Sequence, residues 1–468
     1  MSKAEDILFV ALGGGSSIGG SAYLVRVGGT TVLLDFGIDP NVAPTRTFDE
    51  LAGRAEASGV VTSLTDVSAV ALTHAHTDHS GLLPALYRMF KDRGKRVPPF
   101  YATDATKGLL PLIYENVRKF SQNVPYSVAD VDAMLHHIRA PEPDSSIDWA
   151  HPESGKLRFH TTSHLLGSVM VELEILGRTV LDTGDLQVSE TPSLPAGRVP
   201  ERHPDLLIVD GTYAGAESHR ELGGWEQSRQ ELFVLLDEML AKRSVVLLPS
   251  FALGRSQDIL TLVLEHAESR SSDNYYVYLD GQSSQVTRSI YPRFRHWLSP
   301  HYLELVYRGK WRIKWVDQDE ELSYLIDTEI TGYPSVVIAS SGMLLPESAS
   351  RRWAEALMTN PSNMIAFAGF VVEDIREEVF DRGVLGERPW TRPPYQLGCS
   401  GHASLQETER LVHTLHPEAV AIVHCGGGDL RGSGSLFDRL RRHGTSVVLG
   451  REQQLVTISS KGVLIDEY

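Results

Sequence analysis

Cysteine is nearly absent from this sequence: 468 residues contain two, Cys399 and Cys425. Two thiols cannot build a disulfide framework, and their spacing is not the CxxC pattern of a cysteine zinc site. We therefore expect two reduced, buried cysteines.

Long apolar runs are also missing, since none approaches the roughly 18 residues of a membrane span. The opening segment, "MSKAEDILFVALGGG", lacks the basic start and long apolar run of a signal peptide and reads as a first strand. These absences predict a cytoplasmic protein with no membrane partner. The glycine-rich stretch 13–20 fits neither GxGxxG nor a following GK[ST], so it predicts a tight turn rather than a nucleotide loop.

Positive charge is scarce, with 44 lysines and arginines against 60 acidic residues and a net charge of −16. This balance argues against a broad nucleic-acid-binding face. It leaves open a nuclease whose positive charge is local and partly supplied by metal. The composition, 42% hydrophobic and 22% charged, is that of an ordinary globular protein.

The length exceeds one core of about 100–200 residues, so we expect more than one structural unit. After residue 205, apolar runs such as "LLIVD", "SVVLLP" and "SVVIAS" alternate with helical stretches near 224–243, 255–270 and 347–359. Such alternation predicts a parallel α/β domain. A proline-rich stretch near 388–396 ends it, and the last 70 residues return to strand, helix and strand. The predicted division is 1–205, 206–390 and 391–468.

Metal-binding side chains are concentrated in "HAHTDH", where His74, His76, Asp78 and His79 occupy six positions. Imidazole and carboxylate suit zinc, which takes about four ligands. His74 and His76 alternate, so both can point one way from an extended segment. Asp78 and His79 lie where the chain turns and can begin a second shell. Two zinc ions are therefore expected, an arrangement known for phosphoryl chemistry.

The segment "THAHTDHSG" resembles the HxHxDH signature of the metallo-β-lactamase superfamily, an αββα sandwich. The superfamily's other motifs are present as "LLDFG" with Asp35, "TTSHLLGS" with His164 and "LDTGDL" with Asp185. The resemblance implies three roles beyond those of the HAHTDH residues. His164 would join His74 and His76 on one zinc, Asp185 would bridge to the zinc of Asp78 and His79, and Asp35 would orient the histidines.

Residues 186–423 separate Asp185 from His424, the best late histidine, and are too many for a loop. An inserted parallel α/β domain at this place resembles the β-CASP branch of RNA-processing nucleases, such as the ribonuclease J and 3′-end-processing endonuclease groups. The branch motifs are "IVDGTY" with Asp210, "GCSGHAS" with His402 and "IVHCGG" with His424. By resemblance, His424 completes the second zinc shell.

The resemblance implies a zinc-dependent ribonuclease that hydrolyses phosphodiester bonds with a hydroxide activated between two zinc ions. Asp78, His402 and Asp210 are the expected catalytic residues. His402 would protonate the leaving oxygen or contact phosphate, and Asp210 would orient it. A histidine at position 424 resembles RNA-processing members rather than DNA-repair members, so single-stranded RNA is the expected substrate and DNA the alternative.

Two further stretches are candidates for substrate contact. Arg255 with Ser340 and Ser341 could cradle a phosphate, or could form a buried loop with a satisfied arginine. The alternating segment "YRGKWRIKW" (307–315) could bind nucleic acid, but a half-buried strand with a solvated basic face is favoured. The sequence also departs from the branch pattern at "GTYA", at Ser404 and at "LPES", which leaves the predicted ligands intact.

Three alternatives remain open: a non-nucleolytic esterase or thioesterase of the superfamily, a DNA nuclease, and a subunit of a nucleic-acid-processing complex. The inserted domain with Asp210 and His402 argues against the first, and His424 against the second. The retained ligands argue against a purely structural subunit. A homodimer or protein partners would be needed for any recognition beyond the cleft.

Overall fold

The computed structural model describes residues 5–149, 155–215, 224–270, 275–309, 313–316, 325, 330, 332–369, 371, 373–426 and 428–468. The chain forms two compact units. The first contains residues 1–188, 197–220 and 402–468, and the second contains residues 189–196 and 221–401. Both cysteines are free and buried, as predicted.

The first unit contains two large sheets. One has eight strands, antiparallel up to the fifth and parallel beyond it. Its spatial order is Gly462–Glu467, Gln454–Ser459, Ile7–Gly13, Ala22–Val27, Thr30–Leu34, Ala69–Ala71, Phe100–Tyr101 and Ile138–Arg139. The strand Ile7–Gly13, first in the chain, is buried along nearly its whole length. This burial explains why its sequence is a continuous apolar run.

The other sheet of this unit has seven strands. Its spatial order is Ser446–Leu449, Ala419–Val423, Leu206–Asp210, Arg178–Asp182, Val169–Ile175, Gly155–Thr161 and Ser146–Trp149. The first four of these are parallel and the rest antiparallel. These four adjacent parallel strands therefore bring their carboxyl ends to the same edge, where ligands are usually bound in α/β folds.

Helices cover both sheets of the first unit. The helix Pro44–Ala57 packs on the eight-stranded sheet, and Leu405–Leu415 and Leu436–Arg442 pack on the seven-stranded one. The remaining helices in the described part of this unit are the 3-10 turn Leu64–Asp66 and the α-helices Thr77–Ser80, Leu83–Asp92, Asp104–Phe120 and Val128–His137. Two sheets with helices on their outer faces are the predicted αββα sandwich.

The second unit is built on a six-stranded sheet in which every pair is parallel. Its order is Ile313–Val316, Tyr276–Asp280, Ser335–Ala339, Val245–Pro249, Met364–Ala368 and Tyr395–Leu397. Val246 and Leu248 pack with the helices Gly224–Lys242 and Arg255–Ser269, while Val245 and Leu247 pack with Ala349–Leu357 on the opposite face. Burial on both faces confirms the predicted parallel α/β domain.

The shorter elements of the second unit are the helices Gln282–Gln285, Pro300–Leu303 and Glu373–Arg376, and the paired strands Val384–Leu385 and Arg388–Pro389. Single helical turns cover Val286–Ile290, Tyr291–Trp297, Glu304–Arg308 and Glu377–Asp381. Within the described residues, no helix is both long and apolar enough to cross a membrane.

The observed division of the chain differs from the predicted inserted domain, 206–390, at both ends. The strand Leu206–Asp210 pairs with Arg178–Asp182 and Ala419–Val423, so it belongs to the first unit. The strand Tyr395–Leu397 pairs with Met364–Ala368, so it belongs to the second. A buried parallel strand has the same apolar pattern in either sheet, and the pattern alone could not assign it.

Candidate metal centre

The predicted ligand residues follow strand ends. Asp185 and His424 lie just beyond the parallel strands Arg178–Asp182 and Ala419–Val423, which flank the strand Leu206–Asp210 in the same sheet. In the other sheet, the strand Ala69–Ala71 ends three residues before His74. The short helix Thr77–Ser80 then carries Asp78 and His79 in one turn. The strand ends therefore deliver side chains from distant parts of the sequence to one place.

Three histidines converge in the first part of the cluster. His74 Nε2 and His164 Nε2 lie 3.1 and 3.2 Å from His76 Nδ1. Burial lowers the pKa of His74 and His76, and it lowers that of His164 to about 4. All three are therefore neutral at pH 7. Neutral imidazoles with ring nitrogens this close could hold a metal ion together.

The second part of the cluster contains Asp78, His79 and His424, whose ligand atoms lie within 4.8 Å of one another. Asp78 Oδ2 is 3.4 Å from His424 Nε2 and 3.9 Å from His79 Nε2. The two histidine charges outweigh burial and hold the pKa of Asp78 below its usual value.

Asp185 lies between the two parts. Its Oδ2 is 3.4 Å from His74 Nε2 and 3.2 Å from His164 Nε2. Its Oδ1 is 3.1 Å from His79 Nε2 and 3.5 Å from His424 Nδ1. Each carboxylate oxygen thus faces a different group of histidines, as the predicted bridging role of Asp185 requires.

His79 and His424 differ from the other histidines in charge. Burial disfavours their protonation, but Asp185 and neighbouring carboxylates outweigh it, raising the pKa of His79 and raising that of His424 to about 10. Without metal, both histidines are protonated at pH 7. The carboxylates therefore favour positive charge at this position, and a divalent metal would replace two protons.

Asp35 contacts the residues that the sequence assigns to it. Its Oδ2 is 2.7 Å from His79 Nδ1 and accepts a hydrogen bond from Thr73 Oγ1, while Oδ1 accepts from the Thr73 backbone N–H. It thus fixes one ring directly and also fixes the residue preceding His74.

Two glycines permit close backbone approach here. A Cβ on Gly37 would lie 1.7 Å from the carbonyl oxygen of Asp78. Gly184 has a positive φ of 53°, and a Cβ there would lie 2.6 Å from Thr73 Cβ. Larger residues at either position would displace the ligand segments, which gives "LDFG" and "DTGD" their glycines.

Beside the cluster, His402 and Asp210 form a hydrogen-bonded pair. His402 Nδ1 lies 2.8 Å from Asp210 Oδ2, and His402 Nε2 lies 3.9 Å from Asp185 Oδ2. Burial opposes ionisation of Asp210, but His402 and His424 outweigh it and lower its pKa. The pair thus joins an ionised carboxylate to a half-buried imidazole at the edge of the cluster.

Sequence reasoning missed Thr212 as a site residue. Its hydroxyl donates to Asp210 Oδ1 at 2.7 Å and lies 3.2 and 3.1 Å from the Nδ1 atoms of His402 and His424. Its backbone N–H also donates to Asp210 Oδ1. The available signal was the spacing, because an aspartate commonly bonds the backbone two residues on.

Ser404, a departure from the aspartate of the branch pattern, has a clear local role. It is the N-cap of the helix Leu405–Leu415, and with Glu407 it forms a capping box. Aspartate and serine are similarly good N-caps. The departure therefore keeps the helix start that follows His402.

We expect Ser404→Ala to lower the free energy of unfolding by about 1 kcal/mol, the usual cost of losing such a cap. Ser404→Asp should retain the wild-type value because aspartate caps equally well. Urea unfolding followed by circular dichroism measures both. Equal stability of all three proteins would show that the cap contributes nothing.

The predicted substrate contacts in the second unit have partners of their own. Arg255 Nη2 pairs with Asp258 Oδ2 at 3.0 Å, and Arg255 Nη1 donates to the carbonyl of Ser400. Ser340 Oγ accepts from the Gln282 N–H, and Ser341 Oγ accepts from backbone N–H groups of the loop that follows it. Arg255 is buried and has protein partners, as in the alternative of a satisfied arginine, whereas Ser340 and Ser341 are half-buried. Substrate contact by these residues stays a prediction.

Within the described residues, the segment 307–315 does not begin as the alternating strand that its sequence predicts, because Arg308 ends the helical turn Glu304–Arg308. Ile313–Val316 is a strand whose first three residues are half-buried. Lys310, Trp311 and Arg312 lie outside the described residues. Lys314 lies over the Tyr276 ring, with its Nζ 4.4 Å from the centroid. Tertiary structure here overrides the two-residue period.

The chain is similar to known proteins along most of its length. The profile described as "Metallo-beta-lactamase superfamily" matches residues 17–210, and "Beta-Casp domain" matches residues 256–375. Ribonuclease TTHA0252 of Thermus thermophilus is 31% identical over 89% of this chain and 92% of its own. Transcription termination factor FttA of Thermococcus kodakarensis is 28% identical over 90% and 67%. A protein of unknown function from Enterococcus faecalis V583 shares the fold, with a TM-score of 0.57 at 14% identity over 97% and 100%.

Proposed function

This chain belongs to the β-CASP branch of the metallo-β-lactamase superfamily, and from that membership we propose that it is a zinc-dependent ribonuclease. The observation that carries the proposal is the position of Asp185 between two groups of ligand residues, with the His402–Asp210 pair beside them.

The donor set fits zinc better than a harder cation, because five of its seven ligand residues are histidines. One ion would be held by His74, His76 and His164. The other would be held by Asp78, His79 and His424, and Asp185 would contact both ions. Zinc bound there would supply an activated water near neutral pH and stabilise negative charge on phosphate oxygens. Asp35 holds His79 in its ligand orientation.

His402 is proposed to protonate the oxygen that leaves phosphorus. Asp210 accepts from Nδ1, which directs Nε2 toward the cluster and fixes the tautomer that can donate there. Thr212 holds the opposite oxygen of Asp210 and so keeps the carboxylate in place. Arg255, Ser340 and Ser341 stay predicted substrate contacts.

RNA is the proposed substrate because a relative that this chain covers over 92% of its length is named a ribonuclease, and because His424 occupies the last predicted ligand position. The test is cleavage of end-labelled single-stranded RNA and of the matching DNA by zinc-loaded protein. Preferential RNA cleavage that is absent from the Asp78→Ala, His79→Ala double variant is expected. Cleavage of DNA alone would reverse the substrate assignment, and hydrolysis only of thioesters or lactones would exclude a nuclease.

Zinc binding should release protons unequally. His74, His76 and His164 are neutral at pH 7.5 because their pKa values are lowered, so the first ion should release almost none. His79 and His424 are protonated there because their pKa values are raised, so the second ion should release up to one proton from each. Its affinity should therefore fall as pH falls.

Calorimetric titration with zinc in two buffers of different ionisation enthalpy measures this release. His424→Ala should reduce the proton count of the second ion by about one. Equal proton release by both ions would contradict the assignment of charge to the two groups of histidines.

A further inference from the structure

A second cluster of side chains that could hold a metal ion lies at the surface of the first unit, outside the residues already assigned. Glu409 and His413 are one turn apart on the helix Leu405–Leu415, and His443 is the C-cap of the helix Leu436–Arg442. Their ligand atoms all lie within 4.8 Å of one another. Side chains four residues apart share a helix face, so two ligands from one helix meet one from its neighbour.

The geometry of this cluster suits a monodentate carboxylate with two imidazoles. Glu409 Oε2 accepts from Arg439 Nη1 at 3.0 Å, and Oε1 lies 3.9 Å from His413 Nε2. The rings of His413 and His443 meet edge to face, with centroids 4.9 Å apart. The arginine thus fixes one carboxylate oxygen and leaves the other toward the histidines, as outer partners of metal ligands do.

Zinc–ligand bonds of about 2.0–2.2 Å place tetrahedral ligands about 3.3–3.6 Å apart. The three ligand atoms lie within 4.8 Å of one another, so a bound ion would have to draw the His413 and His443 side chains closer. Arg439 adds positive charge nearby, which lowers cation affinity but also orients Glu409. Two imidazoles and one carboxylate with solvent access favour zinc over magnesium or calcium.

We propose that Glu409, His413 and His443 bind a zinc ion separate from the buried cluster and that this ion ties together the helices Leu405–Leu415 and Leu436–Arg442. The first helix starts three residues after His402, and the second follows the segment that leaves His424. The ion would therefore stabilise the helices that follow the His402 and His424 segments, without contacting the reacting groups.

The test compares full-length wild-type protein with His443→Ala and His413→Ala by zinc titration against a competing chelator. His136→Ala is the control, because His136 is an exposed histidine on the separate helix Val128–His137. Wild type and His136→Ala should bind one zinc ion more than either cluster variant. If the cluster variants still bind this ion, their affinity for it should be lower by at least about 10–100-fold, because losing a ligand costs at least as much affinity as losing a residue that orients a ligand.

Thermal unfolding gives a second readout. Zinc added beyond the tightly bound ions should raise the unfolding midpoint of wild type and His136→Ala but not of His443→Ala, while RNA cleavage is unchanged in all three. Identical zinc stoichiometry, affinity and zinc-induced shifts in wild type and His443→Ala would overturn the proposal. Because the zinc site is counted as a difference between variants, this result does not depend on whether the protein cleaves RNA.

Discussion

Replacing Asp185 with asparagine is expected to remove zinc from both groups of ligand residues and to reduce RNA cleavage by at least about 10²–10³-fold, the range for losing one group that stabilises transition-state charge. Asp185 alone faces His74 and His164 with one oxygen and His79 and His424 with the other. Asparagine keeps the shape but loses the charge that attracts a cation. Zinc content and single-turnover cleavage of end-labelled RNA measure the two effects.

Asp182 offers a matched control three residues away. It is fully buried like Asp185, but burial and the neighbouring Asp35 raise its pKa to about 8. The group is therefore already neutral at pH 7, and Asp182→Asn changes little. It should retain both zinc ions and cleavage within a few-fold. If Asp185→Asn kept two zinc ions and full cleavage, or if both variants failed equally, Asp185 would not be the shared ligand.

His402→Ala is expected to lower the rate of RNA cleavage by about 10²–10⁴-fold, the usual contribution of a positioned general acid. Zinc content should stay at the wild-type value, because His402 lies beside the proposed ligand set rather than within it. Asp210→Asn should cause a smaller loss, since asparagine can still accept a hydrogen bond from Nδ1 but no longer supplies the charge. Single-turnover rates with saturating RNA measure both variants.

The leaving group separates proton donation from a structural role. A p-nitrophenyl phosphodiester expels a weakly basic oxygen that needs no proton. The His402→Ala variant should therefore hydrolyse it within about tenfold of wild type, much less than the loss on RNA. An equal loss on both substrates would show that His402 positions the substrate or the cluster instead of donating a proton.

The family and the fold could be predicted because the motifs occur in a fixed order with an insertion too long for a loop. The αββα sandwich and the parallel inserted domain are confirmed. The domain limits were less accessible, since the buried strands Leu206–Asp210 and Val245–Pro249 have the same apolar pattern although they lie in different sheets.

The site could be predicted only in part from local patterns. The HAHTDH segment indicates metal by itself, but nothing in its spacing brings His164, Asp185 or His424 to it. Family resemblance supplied those residues. The parallel strands Arg178–Asp182 and Ala419–Val423, which flank Leu206–Asp210, explain why Asp185 and His424 meet at one edge of the sheet. Thr212 was missed because a threonine hydroxyl does not indicate a metal site in the sequence. His443 of the proposed surface site was missed because the side chains it meets lie on another helix.

The most direct test is zinc titration of metal-free protein with RNA cleavage measured at each step. Cleavage of single-stranded RNA should be negligible at low zinc, rise steeply as the second ion binds and level off at two ions per chain, with no further change as the surface site fills. A plateau at one ion per chain would contradict the two-ion centre. RNA left intact at every zinc ratio would contradict the ribonuclease.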